Sequence, residues 1–294
     1  MPQSISVIVT GAASGIGLAM TLGLIKAGQD VTAVDRNAAA LGELEKQANG
    51  LKGSALTVVA DLAQPDSFAH VAGAALIKYG RIDALVNNAG IGQASVQARG
   101  RWPIRFWETT PEQWNRFVTV NAAAPINMAR AVLPHMLAAK RGRIVTVTTS
   151  LGTMVREGYL LYGSSKAAAE SAMAVLAADL TGTGVTSNVL VPGGMTDTAM
   201  IGDAPNRDKM LRPEIMVGPL LWLLSEEAQA VNGKRFIAAD WDASLPPAQA
   251  AERAGAPIAW LSIARMPIEP PWRLCRRQGL SRVSVDVHRR SRGL

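Results

Sequence analysis

Tyr162 and Lys166 stand four residues apart in Tyr162-Gly-Ser-Ser-Lys166, which puts both side chains on one face of a helix. A free phenol has a pKa of about 10 and is a poor base near neutrality. An ammonium beside it favours the phenolate and draws that pKa toward the working range, so the pair could transfer protons. On most helices such a pair is only a solvated face, and its meaning depends on its surroundings. A second chemistry is written near the start of the chain. The strand-like run Ile5–Thr10 leads into Gly11-Ala-Ala-Ser14-Gly15-Ile16-Gly17 and then a helical stretch. Gly11 permits a tight turn, Gly15 lets backbone approach a pyrophosphate, and Gly17 allows close helix–strand packing. The N–H groups that open the helix present partial positive charge to the phosphates. The spacing is GxxxGxG rather than GxGxxG, and three glycines after a strand also make an ordinary turn. Asp35 follows a second run, Asp30–Val34. A carboxylate there accepts hydrogen bonds from a ribose 2′-hydroxyl and repels a 2′-phosphate, which favours NAD. Arg36 beside it softens that preference, so NADP stays open. Asp61-Leu62 follows a third run, Leu56–Ala60, and is a candidate adenine contact or a simple loop acid.

The elements that must carry these residues alternate. Further strand-like runs are Ala84–Val86, Arg143–Thr148, Val185–Val191 and Arg235–Ala238, about seven in all. Helical patterns fall near 66–79, 111–140, 162–180 and 214–228. Unbroken apolar strands are buried on both faces, as helices on both sides of a parallel sheet require. The expected fold is a single-domain, Rossmann-type, doubly wound α/β sheet over residues 1–245. After that the period breaks at Pro246-Pro247, Pro257, Pro267 and Pro270-Pro271, so 246–294 reads as an irregular Arg/Pro-rich extension, with Trp260 and Trp272 as candidates to dock it.

In order along the chain, Asn87-Asn88-Ala89-Gly90, Thr149-Ser150, Tyr162…Lys166 and Pro192-Gly193-Gly194 each follow a strand or open a helix. Together with the glycine turn, they resemble the short-chain dehydrogenase/reductase family over about residues 5–240. The resemblance implies an NAD(P)-dependent enzyme acting on an alcohol or carbonyl substrate. It makes Tyr162 the general acid/base and Lys166 its tuner and the holder of the nicotinamide ribose. Asn121 matches the family's Asn that holds a water near the Lys. Asn88, Ala89 and Gly90 are implied beside the cofactor, and Asn87 in the sheet centre. Pro192-Gly193 is implied to turn beside the nicotinamide, with Thr196 or, as the better match, Thr198 bonding its carboxamide or the pyrophosphate. The family usually places a Ser thirteen residues before the Tyr. Here that position is Thr149, whose hydroxyl can bond a carbonyl or alkoxide oxygen, and Ser150 is the alternative. A homotetramer or homodimer paired through the two long helices is implied as well. A cofactor-binding protein without turnover is the competing reading.

From Asn87 to Asn121 the chain is longer than the family leads one to expect, by a stretch near Gly92–Trp107. It interleaves Trp102, Phe106 and Trp107 with Arg99, Arg101 and Arg105, which reads as a substrate lid, a surface loop or a subunit contact. Met154, Tyr159 and Met200 are candidates for the mouth. The formal net charge is +7, but nine Arg against three acids in 251–294 account for +6 of it. The nearly neutral body argues against nucleic acid as the main partner, and the basic end could tether a polyanion or membrane or do nothing. A single cysteine and three scattered histidines point to no disulfide or metal, and no apolar run is long enough to enter a membrane. The start of the chain does not read as a signal peptide, so a cytoplasmic setting is expected.

Overall fold

The computed structural model describes residues 4–96, 103–202 and 206–260. The chain divides into a compact unit, Met1–Ala259, and a second stretch, Trp260–Leu294, of which only Trp260 is described. The compact unit starts with β1 (Ser6–Thr10), α1 (Gly15–Lys26), β2 (Asp30–Asp35), α2 (Ala38–Ala48), β3 (Ser54–Val59), α3 (Ser67–Tyr79) and β4 (Ala84–Asn87). Next come α4 (Pro111–Val118), α5 (Ala124–Ala138), β5 (Gly142–Val147), α6 (Leu151–Met154), α7 (Leu160–Asp179) and β6 (Val185–Val191). It closes with α8 (Val217–Leu223), β7 (Lys234–Ile237), α9 (Pro247–Ala254) and β8 (Gly255–Pro257).

The sheet order is β3-β2-β1-β4-β5-β6-β7-β8. All neighbours are parallel except β7 and β8. The winding reverses between β1 and β4, and in such sheets ligands bind beyond the carboxyl ends of the strands at that reversal. Successive side chains face opposite layers: Val7 and Val9 join the core under α1, α2, α8 and α9, while Ile8 joins the core under α3, α5 and α7. Burial on both faces explains why β1 and β4 read as apolar runs.

Three expectations change. The sheet has eight strands and its last is antiparallel, so the compact unit passes the boundary drawn at 245/246. Pro247 is no breaker, because it sits in the first turn of α9, where a missing N–H is harmless. The helix expected over 111–140 is interrupted by a π-helical stretch, Thr119–Ala123, that contains Asn121. Pro125 offers the Asn121 carbonyl no N–H, which favours this widening. The helix expected over 214–228 is a 3-10 turn, Pro213–Met216, followed by α8. It stops where the N–H and hydroxyl of Ser225 both donate to the Trp222 carbonyl. No helix among the described residues is long and apolar enough to cross a membrane.

Candidate active site

The carboxyl ends of β1 and β4 are laced together. The Thr10 hydroxyl accepts from the N–H groups of Asn88 (3.0 Å) and Ala89 (3.1 Å). The Asn88 amide donates back to the carbonyls of Thr10 (3.0 Å) and Gly11 (3.1 Å). Gly11 and Gly15 have φ of +64° and +51°, a region that disfavours any side chain. A Cβ on Gly17 would lie 1.9 Å from the Gly11 carbonyl oxygen, and one on Gly15 would lie 2.9 Å from Thr198 Cγ2. The loop is therefore a bare-backbone cradle between Thr198 and the start of α1. Ser14 makes no side-chain cap on α1, so the first-turn N–H groups through Ile16 and Gly17 are left to serve an anion. The cradle thus fits a pyrophosphate by shape and by donor set.

Asp35 ends β2 beside this loop. Its Oδ2 accepts from Ala13 N–H (3.2 Å) and its Oδ1 from Asn37 N–H (3.0 Å), while Arg36 is exposed. Asp61 is exposed and turns the chain by accepting from Ala63 N–H at 3.0 Å, and Leu62 is a buried core side chain. Thr196 is buried and its hydroxyl donates locally to Gly194, whereas Thr198 faces Gly15. Pro192 accepts from Ala239 N–H at 3.0 Å, and Gly193 turns with φ +94°. Asn87 spans the sheet centre, donating to Pro125 O and Thr146 Oγ1.

Lys166 is buried, and its Nζ donates to the Val147 carbonyl at 2.9 Å. A Cβ on Gly90 would stand 3.1 Å from Asn121 Oδ1 and 3.4 Å from Lys166 Nζ, so only glycine leaves this space open. The Asn121 amide is fully used: it exchanges hydrogen bonds with the Ile91 backbone (2.9 and 3.0 Å) and donates to Ser165 Oγ (3.1 Å). Burial pulls the Lys166 ammonium down to about 8. Burial pushes the Tyr162 phenol up to about 12, against a hydrogen bond with the Thr149 side chain that lowers it. The direction is opposite to the one the sequence leads one to expect, because desolvation outweighs any help from Lys166.

The two candidate hydroxyls part company. Thr149 follows β5 with its carbonyl held by Arg235 Nη2 at 2.7 Å, and its side chain lowers the Tyr162 phenol pKa. Ser150 caps α6, accepting from Thr153 N–H at 3.2 Å and pairing with the Thr153 hydroxyl at 2.7 Å. Tyr159 packs edge-on to Tyr162 at 6.4 Å between centroids, under Arg156. Met154 is buried and Met200 lies against Gly92. The inserted stretch rests on the 157–158 turn through an Arg105–Glu157 ion pair and Pro103 against Gly158. Phe106 and Trp107 are 70% and 79% exposed; Arg99, Arg101 and Trp102 lie outside the described residues. One participant lies outside the sequence expectations: Thr10, a polar residue at the end of an otherwise apolar strand, whose hydroxyl serves the 88–89 turn.

A family model described as short chain dehydrogenase matches residues 6–209. The chain is 31% identical over 238 residues to the 3-oxoacyl-acyl-carrier-protein reductase FabG of Thermotoga maritima, covering 77% of this chain and 93% of that one. It resembles the solved 3-ketoacyl-acyl-carrier-protein reductase of Brucella melitensis complexed with NADH at 26% identity and TM-score 0.67, covering 78% and 93% of the two chains. A proposed NAD(P)-dependent gluconate 5-dehydrogenase of Beutenbergia cavernae, solved with NADP at low occupancy, matches at 33% identity and TM-score 0.70, covering 81% and 96%.

Proposed function

Because the chain belongs to the short-chain dehydrogenase/reductase family of oxidoreductases, we propose that it interconverts a secondary alcohol and its ketone with NAD(H), Tyr162 being the acid/base. The observation that carries this reading is that Tyr162 and Lys166 share one face of α7, with the Lys166 Nζ held by the Val147 carbonyl at the end of β5 and standing beside Gly90. A bound nicotinamide supplies the hydride donor or acceptor. In reduction, Tyr162 gives its phenolic proton to the carbonyl oxygen as that oxygen gains charge, and the Thr149 hydroxyl donates to the same atom. In oxidation, Tyr162 takes the hydroxyl proton. Lys166 restores the proton at Tyr162 and grips the nicotinamide ribose. The Asn121 side chain holds the 90–91 turn in place, and its carbonyl, which Pro125 cannot serve, holds the water that links Lys166 to solvent. The glycine cradle and Thr198 take the pyrophosphate, and Asp35 takes the adenosine ribose hydroxyls, which favours NAD over NADP.

The test is a panel of hydroxysteroids, sugars, acyl thioesters and simple secondary alcohols or ketones with each cofactor. Turnover of at least one pair is expected, and Tyr162→Phe should abolish it while cofactor still binds. Silence across the panel, or retained turnover in Tyr162→Phe, would refute the assignment. We also propose a homo-oligomer joined through α5 and α7, on which Leu137 and Val175 are exposed; light scattering reads it directly.

A further inference from the structure

Among the described residues, one ion pair has both side chains buried: Glu170 on α7 and Arg235 on β7, at 0% and 5% exposure. Glu170 lies one turn beyond Lys166 and two beyond Tyr162, so the three share a helix face. Its Oε2 accepts from Arg235 Nη1 at 2.5 Å and from the Thr148 hydroxyl at 2.6 Å. Its Oε1 accepts from the N–H of Ala259 at 3.2 Å. The second fork nitrogen, Arg235 Nη2, donates to the Thr149 carbonyl at 2.7 Å. One carboxylate and one guanidinium thus join α7, β7, the end of β5 and the residue that closes the compact unit.

Stability alone does not call for this arrangement. Desolvating two charges is costly, and well-packed apolar residues of similar volume often hold a core as well or better. The pair is directed at a short stretch that carries chemistry. Lys166 holds the carbonyl of Val147, Glu170 the hydroxyl of Thr148 and Arg235 the carbonyl of Thr149. Fixing that last carbonyl sets the backbone that carries the Thr149 side chain, the group that lowers the Tyr162 phenol pKa. At the other end, Ala259 has φ of +54°, a left-handed conformation that a residue with a Cβ adopts only when its surroundings enforce it.

We propose that Glu170 and Arg235 are positioning residues that hold residues 148–149 so that the Thr149 hydroxyl meets Tyr162, and that they couple this site to the chain at Ala259. The inference rests on the roles given above to Thr149 and Tyr162. Removing one partner strands a buried charge and endangers the fold. The test therefore compares E170M/R235M, which replaces the pair with apolar side chains, and R235K, which keeps a cation opposite Glu170 but loses the fork to Thr149. Both variants should fold and bind NADH as the wild type does. Their kcat should fall roughly 10- to 100-fold, the scale of a displacement near 1 Å, with the cofactor KM unchanged. The pH limb assigned to Tyr162 should move to higher pH, because the hydrogen bond that lowers that phenol is weakened. Amide exchange at Thr148, Thr149 and Ala259 should quicken by about tenfold in E170M/R235M.

A folded variant with wild-type kcat, pH limb and exchange overturns the proposal. Loss of the fold in both variants assigns the pair to stability and overturns it equally. If the wild type turns over nothing, the oxidoreductase reading has failed, and unchanged exchange at those three amides still refutes the tether.

Discussion

Thr149→Val and Ser150→Ala remove neighbouring hydroxyls, and the structure predicts different consequences. Thr149 carries the hydroxyl proposed to serve the substrate oxygen beside Tyr162, whose phenol pKa it lowers. Valine keeps the branched shape and deletes only the donor. Loss of one such donor costs about 10²–10³ in kcat, or roughly 3–4 kcal/mol of barrier. Cofactor affinity should be untouched, because Thr149 is directed at the substrate oxygen. Ser150 instead caps the four-residue α6. Losing a cap costs about 1 kcal/mol of stability, which lowers Tm by roughly 2–4 °C in a domain of this size. Its kcat should stay within a few-fold of wild type. Steady-state rates from NADH absorbance and thermal melts on the same preparations read both outcomes. A large kcat loss in Ser150→Ala with an active Thr149→Val would refute the division of roles.

Other outcomes follow from the same geometry. Gly17→Ala would set a methyl 1.9 Å from the Gly11 carbonyl, so the turn must open; we expect about 1–3 kcal/mol of destabilisation and loss of NADH binding by calorimetry. Asp35→Ser removes the charge that repels a 2′-phosphate and should move the NAD/NADP ratio of kcat/KM roughly 10- to 100-fold toward NADP, the worth of one charged hydrogen bond. Lys166 has a folded pKa of about 8 against an ordinary 10.5, so the unfolded chain holds the extra proton between those values and stability should climb with pH across that window. Lys166→Met should abolish turnover and flatten the climb, on the order of 3 kcal/mol, in urea titrations. Ending the chain at 245 strips away buried Ala250, Ala251, Ala254 and Ile258 and should prevent stable folding, whereas ending it at 260 keeps them; circular dichroism compares the two.

Local pattern made most of this architecture legible. β1, β4, β5 and β6 are buried on both sides, β1 and β4 read as apolar runs, and the turns after all four carry Gly11, Asn88, Thr149 and Gly193. The π-helical stretch escapes because five residues are too few to show a period of their own inside a long helical pattern. α9 and β8 escape because the prolines read as breakers, although Pro247 stands where a helix tolerates it, and because a strand of three residues carries no period. The Glu170–Arg235 pair joins positions 65 residues apart, and nothing local to either marks the other. The sign of the Tyr162 shift needed the enclosure around the ring, which spacing does not contain.

β8 also bears on how one edge of the sheet is closed to added strands. The open rim of a parallel sheet invites another chain to add a strand. Among the described residues, the rim beyond β7 is a three-residue Gly-Ala-Pro segment running the opposite way, and Pro257 has no N–H to contribute to a growing ladder. The segment that completes the fold is therefore a poor template for recruiting further copies, and lengthening it or replacing Pro257 would turn a blunt margin into an adhesive one.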